Sequence, residues 1–257
     1  MHPWRRAGAD RLGRVVKHRD ITDCYLCGKP LGAPINVDHV PPSMFFAKDL
    51  RKTYKLTKLI TIPVHASCNT AWQMDEEYFV STLVPFVRGS TSGNALWADW
   101  RRRLKRGRGW PLANVVLQEF KHEIGGVHLP ASKVAKHIDP KRVWGVVWKI
   151  IRGLHFHHTG QILPTHWEFA ATITAPGENP PDAFVSYAQS GLMESRGEYQ
   201  GVFAYTFKIF PQPDFLHYWA LNLWDRIIMT AVFHDPECGC DYCMFVGPRQ
   251  SGSRHRT

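Results

Sequence analysis

Two pairs of potential metal ligands, each spaced i, i+3, constrain this chain more than any other feature. Cys24 and Cys27 bracket Tyr25-Leu26 and are followed by Gly28; His65 and Cys68 bracket Ala66-Ser67. Four soft or borderline ligands of this kind suit a tetrahedral zinc ion, closed to any further ligand. Such a site holds a fold together and does no chemistry itself. Gly28 lets the backbone turn around the metal. The plainer role for these side chains is that of small buried hydrophobes, but the same spacing at both ends favours zinc.

Between and just after the pairs lie residues of different chemistry. Asp38 and His39 are adjacent in Val37-Asp-His-Val-Pro-Pro42, and Asn69 follows Cys68. A carboxylate and an amide oxygen suit a hard divalent cation, and a neutral imidazole suits a general base. Ile35–Val40 alternates as a short strand does, and Pro41-Pro42 ends it. Leu59–Val64 reads as a second extended segment, and Asn69–Val80 as a helix. Adjacent strand residues point to opposite faces, so a site using both Asp38 and His39 needs a bent backbone.

The chain has 257 residues, with 32 Lys and Arg against 22 Asp and Glu, a formal charge of +10. That balance suits a polyanion, most simply nucleic acid. Its opening, Met1-His-Pro-Trp-Arg-Arg6, lacks an apolar core, so no secretion signal is expected. No run reaches the ~18 apolar residues of a membrane span. A cytoplasmic location follows as the expectation, and there a C-x-x-C pair binds metal or cycles redox rather than forming a staple.

We divide the chain into a basic segment at 1–20, a stapled domain at 21–87, a basic linker at 88–109, an accessory domain at 110–246 and a disordered tail at 247–257. The linker is drawn at Arg88-Gly-Ser-Thr-Ser-Gly93 and the run Arg101–Arg108. Within the accessory domain, Arg142–Leu154 has helical apolar spacing. Phe184–Ala188, Gly201–Phe210 and Tyr218–Trp224 are rich in strand-favouring residues. The fold class expected is α+β in both domains.

The array C-x2-C, then Asp38-His39-Val40-Pro41, then a second pair followed by Asn69 resembles the HNH (ββα-metal) endonucleases in their zinc-stapled form. The resemblance covers roughly residues 21–80 and rests on order and spacing together. It is similar to a bacterial subgroup of uncharacterised HNH proteins with a C-terminal accessory region. It implies a ββα domain with structural Zn2+ on Cys24, Cys27, His65 and Cys68. It implies catalytic Mg2+ or Mn2+ on Asp38 and Asn69, with His39 as the base that activates water. The implied activity is phosphodiester hydrolysis, with double-stranded DNA as the first expectation. Alternatives are a catalytically degenerate zinc-dependent nucleic-acid binder, or an effector activated by a protein partner through the C-terminal domain. Sequence preference, pathway and oligomeric state are not readable.

Two positions depart from the pattern. The middle Asn of the family falls near Ile60 or Thr61, and neither offers an amide. His65 stands where Cys is usual, which zinc accepts.

Other features are weaker. Glu76 and Glu77 read as solvated helix residues, with Asp75 evenly balanced between that and support of a metal. His155-Phe-His-His158 reads as structural. His234 with Cys238, Cys240 and Cys243 is a candidate for a second metal cluster, without a distant partner pair, and whether it binds metal is not readable. Trp97, Trp100 and Trp110 flank the basic run and read as core or interface rather than as stacking platforms for single strands.

Overall fold

Residues 35–40 form strand β1 (Ile35–Val40), but its faces are the reverse of what its apolar residues suggest. Ile35 and Val37 are exposed, whereas Asp38 and Val40 point inward. A short helix, α1 (Lys48–Thr53), follows, then β2 (Ile60–His65), which runs directly into α2 (Ala66–Leu83). β1 and β2 are antiparallel, with Asp38 opposite Ile62 and His39 opposite Thr61. The chain therefore has a β-hairpin closed by a helix, the order expected for residues 21–80. This computed structural model describes residues 18–53, 59–107, 109–163, 169–189, 194–199, 201–210 and 216–234.

The stretch expected to be a basic linker contains a helix, α3 (Thr91–Lys105). Ser90 caps it by accepting from the Gly93 N–H at 3.0 Å. Arg102, Arg103 and Lys105 fall in its last turn, where the helix dipole favours cations. Trp97 and Trp100 stack with centroids 5.2 Å apart, and Trp100 donates to Ser81; Trp110 is exposed.

Beyond it come α4 (Trp110–Gln118) and four two-residue strands, β3 (Phe120–Lys121), β4 (Glu123–Ile124), β5 (Val127–His128) and β6 (Ala135–Lys136). The helix read from periodicity is α5 (Pro140–Thr159). Asp139 caps its start by accepting from the Lys141 and Arg142 N–H groups. Gly160 ends it in the left-handed region at φ 70°.

The remainder is β7 (Ala170–Thr174), α6 (Asp182–Gln189), β8 (Glu194–Tyr199), β9 (Phe203–Ile209), β10 (Leu216–Leu223) and β11 (Ile227–His234). The strands form one antiparallel sheet in the order β7-β11-β10-β9-β8. Phe184–Ala188, read as strand-like, is helical instead. The Pro181 carbonyl accepts from the Phe184 and Val185 N–H groups and starts the turn. The fold is thus mixed α+β, with small antiparallel sheets.

Helix α5 is the central post. It packs on α2, β1 and β2 on one side. On the other, Trp148 meets Phe233 of β11 edge-on at 4.9 Å. The sheet also reaches the hairpin directly: Trp224 Nε1 donates to the Phe45 carbonyl at 2.9 Å, and the Ile60 N–H donates to Tyr199 Oη at 2.8 Å. One hydrophobic core therefore runs through both of the expected domains. Each large side chain buried along this seam contributes roughly 2 kcal/mol. Gly153 makes the close approach possible, since a Cβ there would lie 2.7 Å from Val40 Cγ2 and 3.2 Å from Tyr25 Oη. No helix among the described residues is long and apolar enough to cross a membrane.

Candidate functional site

The four staple residues converge as their spacing implied. The Cys24, Cys27 and Cys68 sulfurs and a His65 ring nitrogen lie within 4.8 Å of one another. His65 Nδ1 is 3.4 Å from Cys27 Sγ and 3.8 Å from Cys68 Sγ. Zinc bonds of about 2.3 Å to sulfur and about 2.0 Å to nitrogen give tetrahedron edges of roughly 3.5 Å, so the gap fits that ion. Gly28, at φ 71°, turns the first pair, and its N–H donates to the Cys24 carbonyl at 2.7 Å. His65 is the N-cap residue of α2 but makes no side-chain cap bond, which leaves its ring for the metal. With Nδ1 on zinc, Nε2–H can donate to the Pro30 carbonyl 3.0 Å away, which fixes the tautomer. Burial, then neighbouring Cys27 and Cys24, pushes the Cys68 thiol up to about 12. Thiols crowded in this way need a cation before all three can ionise.

A residue with no place in the motif backs this staple. Arg152 of α5 is 2% exposed. Its guanidinium donates to the Tyr25 and Leu26 carbonyls inside the first pair and to the Leu163 carbonyl. It ties the knuckle to α5. Three thiolates and one neutral imidazole on Zn2+ would carry a net charge of −1, and the buried guanidinium beside them would offset it.

His39 stands on the outer face of β1, half-buried. Burial lowers its pKa from the ordinary value; Asp38 opposes the shift, and Arg51 and Lys149 add to it. The shift favours the neutral ring, the form a base must have. Arg51 is itself held by the Phe46 carbonyl at 3.1 Å and by the Ser43 carbonyl. Across the hairpin, Thr61 lies where the resemblance implies an Asn. His18 Nε2 donates to the Thr61 carbonyl and lies 2.9 Å from its Oγ1. Position 60 acts through its backbone, which bonds to Tyr199.

Asp38 faces the other way, into the protein, and is 3% exposed. One carboxylate oxygen accepts from Lys149 Nζ at 2.8 Å, and the other accepts from Tyr25 Oη. Lys149, 1% exposed, also donates to Glu76. Burial first, then the charge of Asp38, holds the Tyr25 phenol well above its ordinary pKa, so it stays a donor. Glu76 is therefore not the solvated residue expected; it sits mid-helix on the buried face of α2, with its pKa raised by burial against the pull of Lys149. Asp75 pairs with Arg142 at 2.7 Å.

The arrangement does not fit the divalent ion expected on Asp38 and Asn69. Both Asp38 oxygens already accept a hydrogen bond, one of them from the Lys149 ammonium that occupies a cation's place, and the Asn69 amide nitrogen donates to the Val37 carbonyl at 3.5 Å. His39 and Asp38 lie on opposite faces of a strand that stays paired in register through both. The bend needed to join them is not there.

His155 is buried and donates from Nδ1 to the Gln161 carbonyl at 3.0 Å; burial lowers its pKa to about 4. His158 Nε2 lies 2.7 Å from Tyr205 Oη. Cys238, Cys240 and Cys243, the 1–17 segment and the 247–257 tail lie outside the described residues, as does the His234 side chain.

The residues missed were Tyr25, Lys149 and Arg152. A signal did exist: Lys149 and Arg152 interrupt an otherwise apolar helix face, i to i+3. No protein-family model matches the chain, and no curated protein or solved structure matches it either.

Proposed function

We propose that this chain is a zinc-stapled ββα protein of HNH type that hydrolyses phosphodiester bonds in nucleic acid, DNA first. The observation that carries the reading is His39: a neutral imidazole on the outer face of the hairpin, half-buried, with Arg51 near enough to depress its pKa. Cys24, Cys27, His65 and Cys68 hold the zinc, which fixes the hairpin to the helix and supplies no reacting group. His39 takes a proton from water as the water oxygen attacks phosphorus. The phosphorus–oxygen bond of the leaving group breaks, and that oxygen is protonated from solvent. Arg51 offers fixed positive charge to the phosphate. The formal charge of +10 favours a duplex held through its backbone, with affinity falling as salt rises.

The bonds at Asp38 favour a second reading, a zinc-dependent nucleic-acid binder that does not cut. A supercoiled-plasmid assay separates the two. Zinc-loaded wild type should nick, and His39→Ala, with the same zinc content, should not. Undiminished nicking by His39→Ala sinks the hydrolytic mechanism. Salt-sensitive binding without nicking by the wild type selects the second reading.

A further inference from the structure

The disagreement between the expected divalent ion and the observed contacts is itself informative. Asp38 on β1, Glu76 on α2 and Lys149 on α5 come from three elements, yet converge at one point. They are 3%, 8% and 1% exposed. Lys149 Nζ lies 2.8 Å from Asp38 Oδ1 and contacts Glu76 Oε1 as well. Two buried carboxylates would repel each other strongly without a cation between them. One or two carboxylates completed by waters are also what Mg2+ or Mn2+ ordinarily takes. Here the cation is covalently part of the chain. Tyr25 closes the remaining Asp38 oxygen, and the Tyr25 ring is fully buried, so the far side is shut too. A divalent ion entering this point would have to displace an ammonium that is itself buried.

We infer that Lys149 is the resident cation of the Asp38–Glu76 pair, and that the pair takes no divalent metal while Lys149 is present. Asp38 is then a positioning acid, which fixes β1 and so the strand that presents His39. The inference deepens the ββα reading and rests on it for what the site serves. Among the described residues it leaves one metal place, the staple, and gives the second cation's place to a side chain.

Titration of zinc-loaded protein with Mn2+, followed by the electron paramagnetic resonance signal of the free ion, tests this without nucleic acid. Wild type should leave Mn2+ free. Lys149→Met should take up one Mn2+ per chain, and Lys149→Met/Asp38→Asn should lose that uptake. Wild-type uptake of one Mn2+ that Asp38→Asn abolishes overturns the inference. So does a folded Lys149→Met protein that takes up none. Should Lys149→Met fail to fold, the wild-type and Asp38→Asn titrations decide alone. Absence of plasmid nicking would count against the hydrolytic reading and leave this titration standing.

Discussion

The staple, a candidate metal site, and the Asp38–Glu76–Lys149 cluster lie in one hairpin-and-helix unit and are built in opposite ways. The staple gathers two thiols from a short turn and an imidazole and a thiol from the β2–α2 junction, and could hold an ion supplied from outside. The cluster draws carboxylates from a strand and a helix and already contains its ammonium. Helix α5 backs both, with Arg152 under the first and Lys149 inside the second, one turn apart. The contrast shows that soft ligands near the surface can wait for a metal, whereas a buried carboxylate pair must be neutralised as the chain folds.

Removing the staple should have the largest effect. Cys68→Ser should lose bound zinc, read by elemental analysis, and unfold the hairpin; the ceiling is on the order of 10 kcal/mol, as for small zinc domains. Retention of full zinc and thermal stability would break the comparison from that side. Next comes Lys149→Met, which leaves two buried carboxylates unpaired and should cost roughly 3–5 kcal/mol in urea denaturation. Replacing the whole set, Asp38→Asn/Glu76→Gln/Lys149→Met, should recover most of that loss. Failure to recover would mean that the ammonium does more than neutralise.

A third buried group on α5 sharpens the contrast, because it is kept neutral with no ion at all. His155 has a folded pKa of about 4 against about 6.5 unfolded. The unfolded chain therefore binds the extra proton first. Its contribution is complete above pH 6.5 and is lost as pH falls toward 4, about 3 kcal/mol in all. Stability measured across that window should slope less steeply in His155→Gln, by about one proton. The smallest effect on stability belongs to His39→Ala, within about 0.5 kcal/mol of wild type, although nicking should vanish. The acid limb of nicking activity should lie below pH 6.5, since burial lowers the His39 pKa and only the neutral ring accepts a proton.

Much of this unit was legible. Alternation placed β1, and the i, i+3 pairs placed the staple, because both depend on residues close in sequence. Periodicity found α5 for the same reason. Phe184–Ala188 was misread since aromatic and β-branched residues favour strands, while the preceding Pro181 starts a helical turn. The dense Arg run hid α3, whose Ser90 cap and Asp99 pairings with Arg102 and Arg103 make it regular. Asp38 was assigned to a metal because its partner lies 111 residues away, and Glu76 to solvent because its partner lies 73 away. Nothing local announces such a pairing except a lysine where an apolar residue would serve.

Gly153 carries a consequence for portability. With no side chain, it lets α5 lie against Val40 and Tyr25 at a distance that any Cβ would forbid. That intimacy brings Lys149 to Asp38 and Glu76, and Arg152 to the Tyr25 and Leu26 carbonyls. The ββα unit is therefore not a cassette that can be lifted out at residue 87 and grafted elsewhere. Its floor is supplied by a helix that begins more than fifty residues later, and a chain cut between them would carry away the ligands and leave their counter-charges behind.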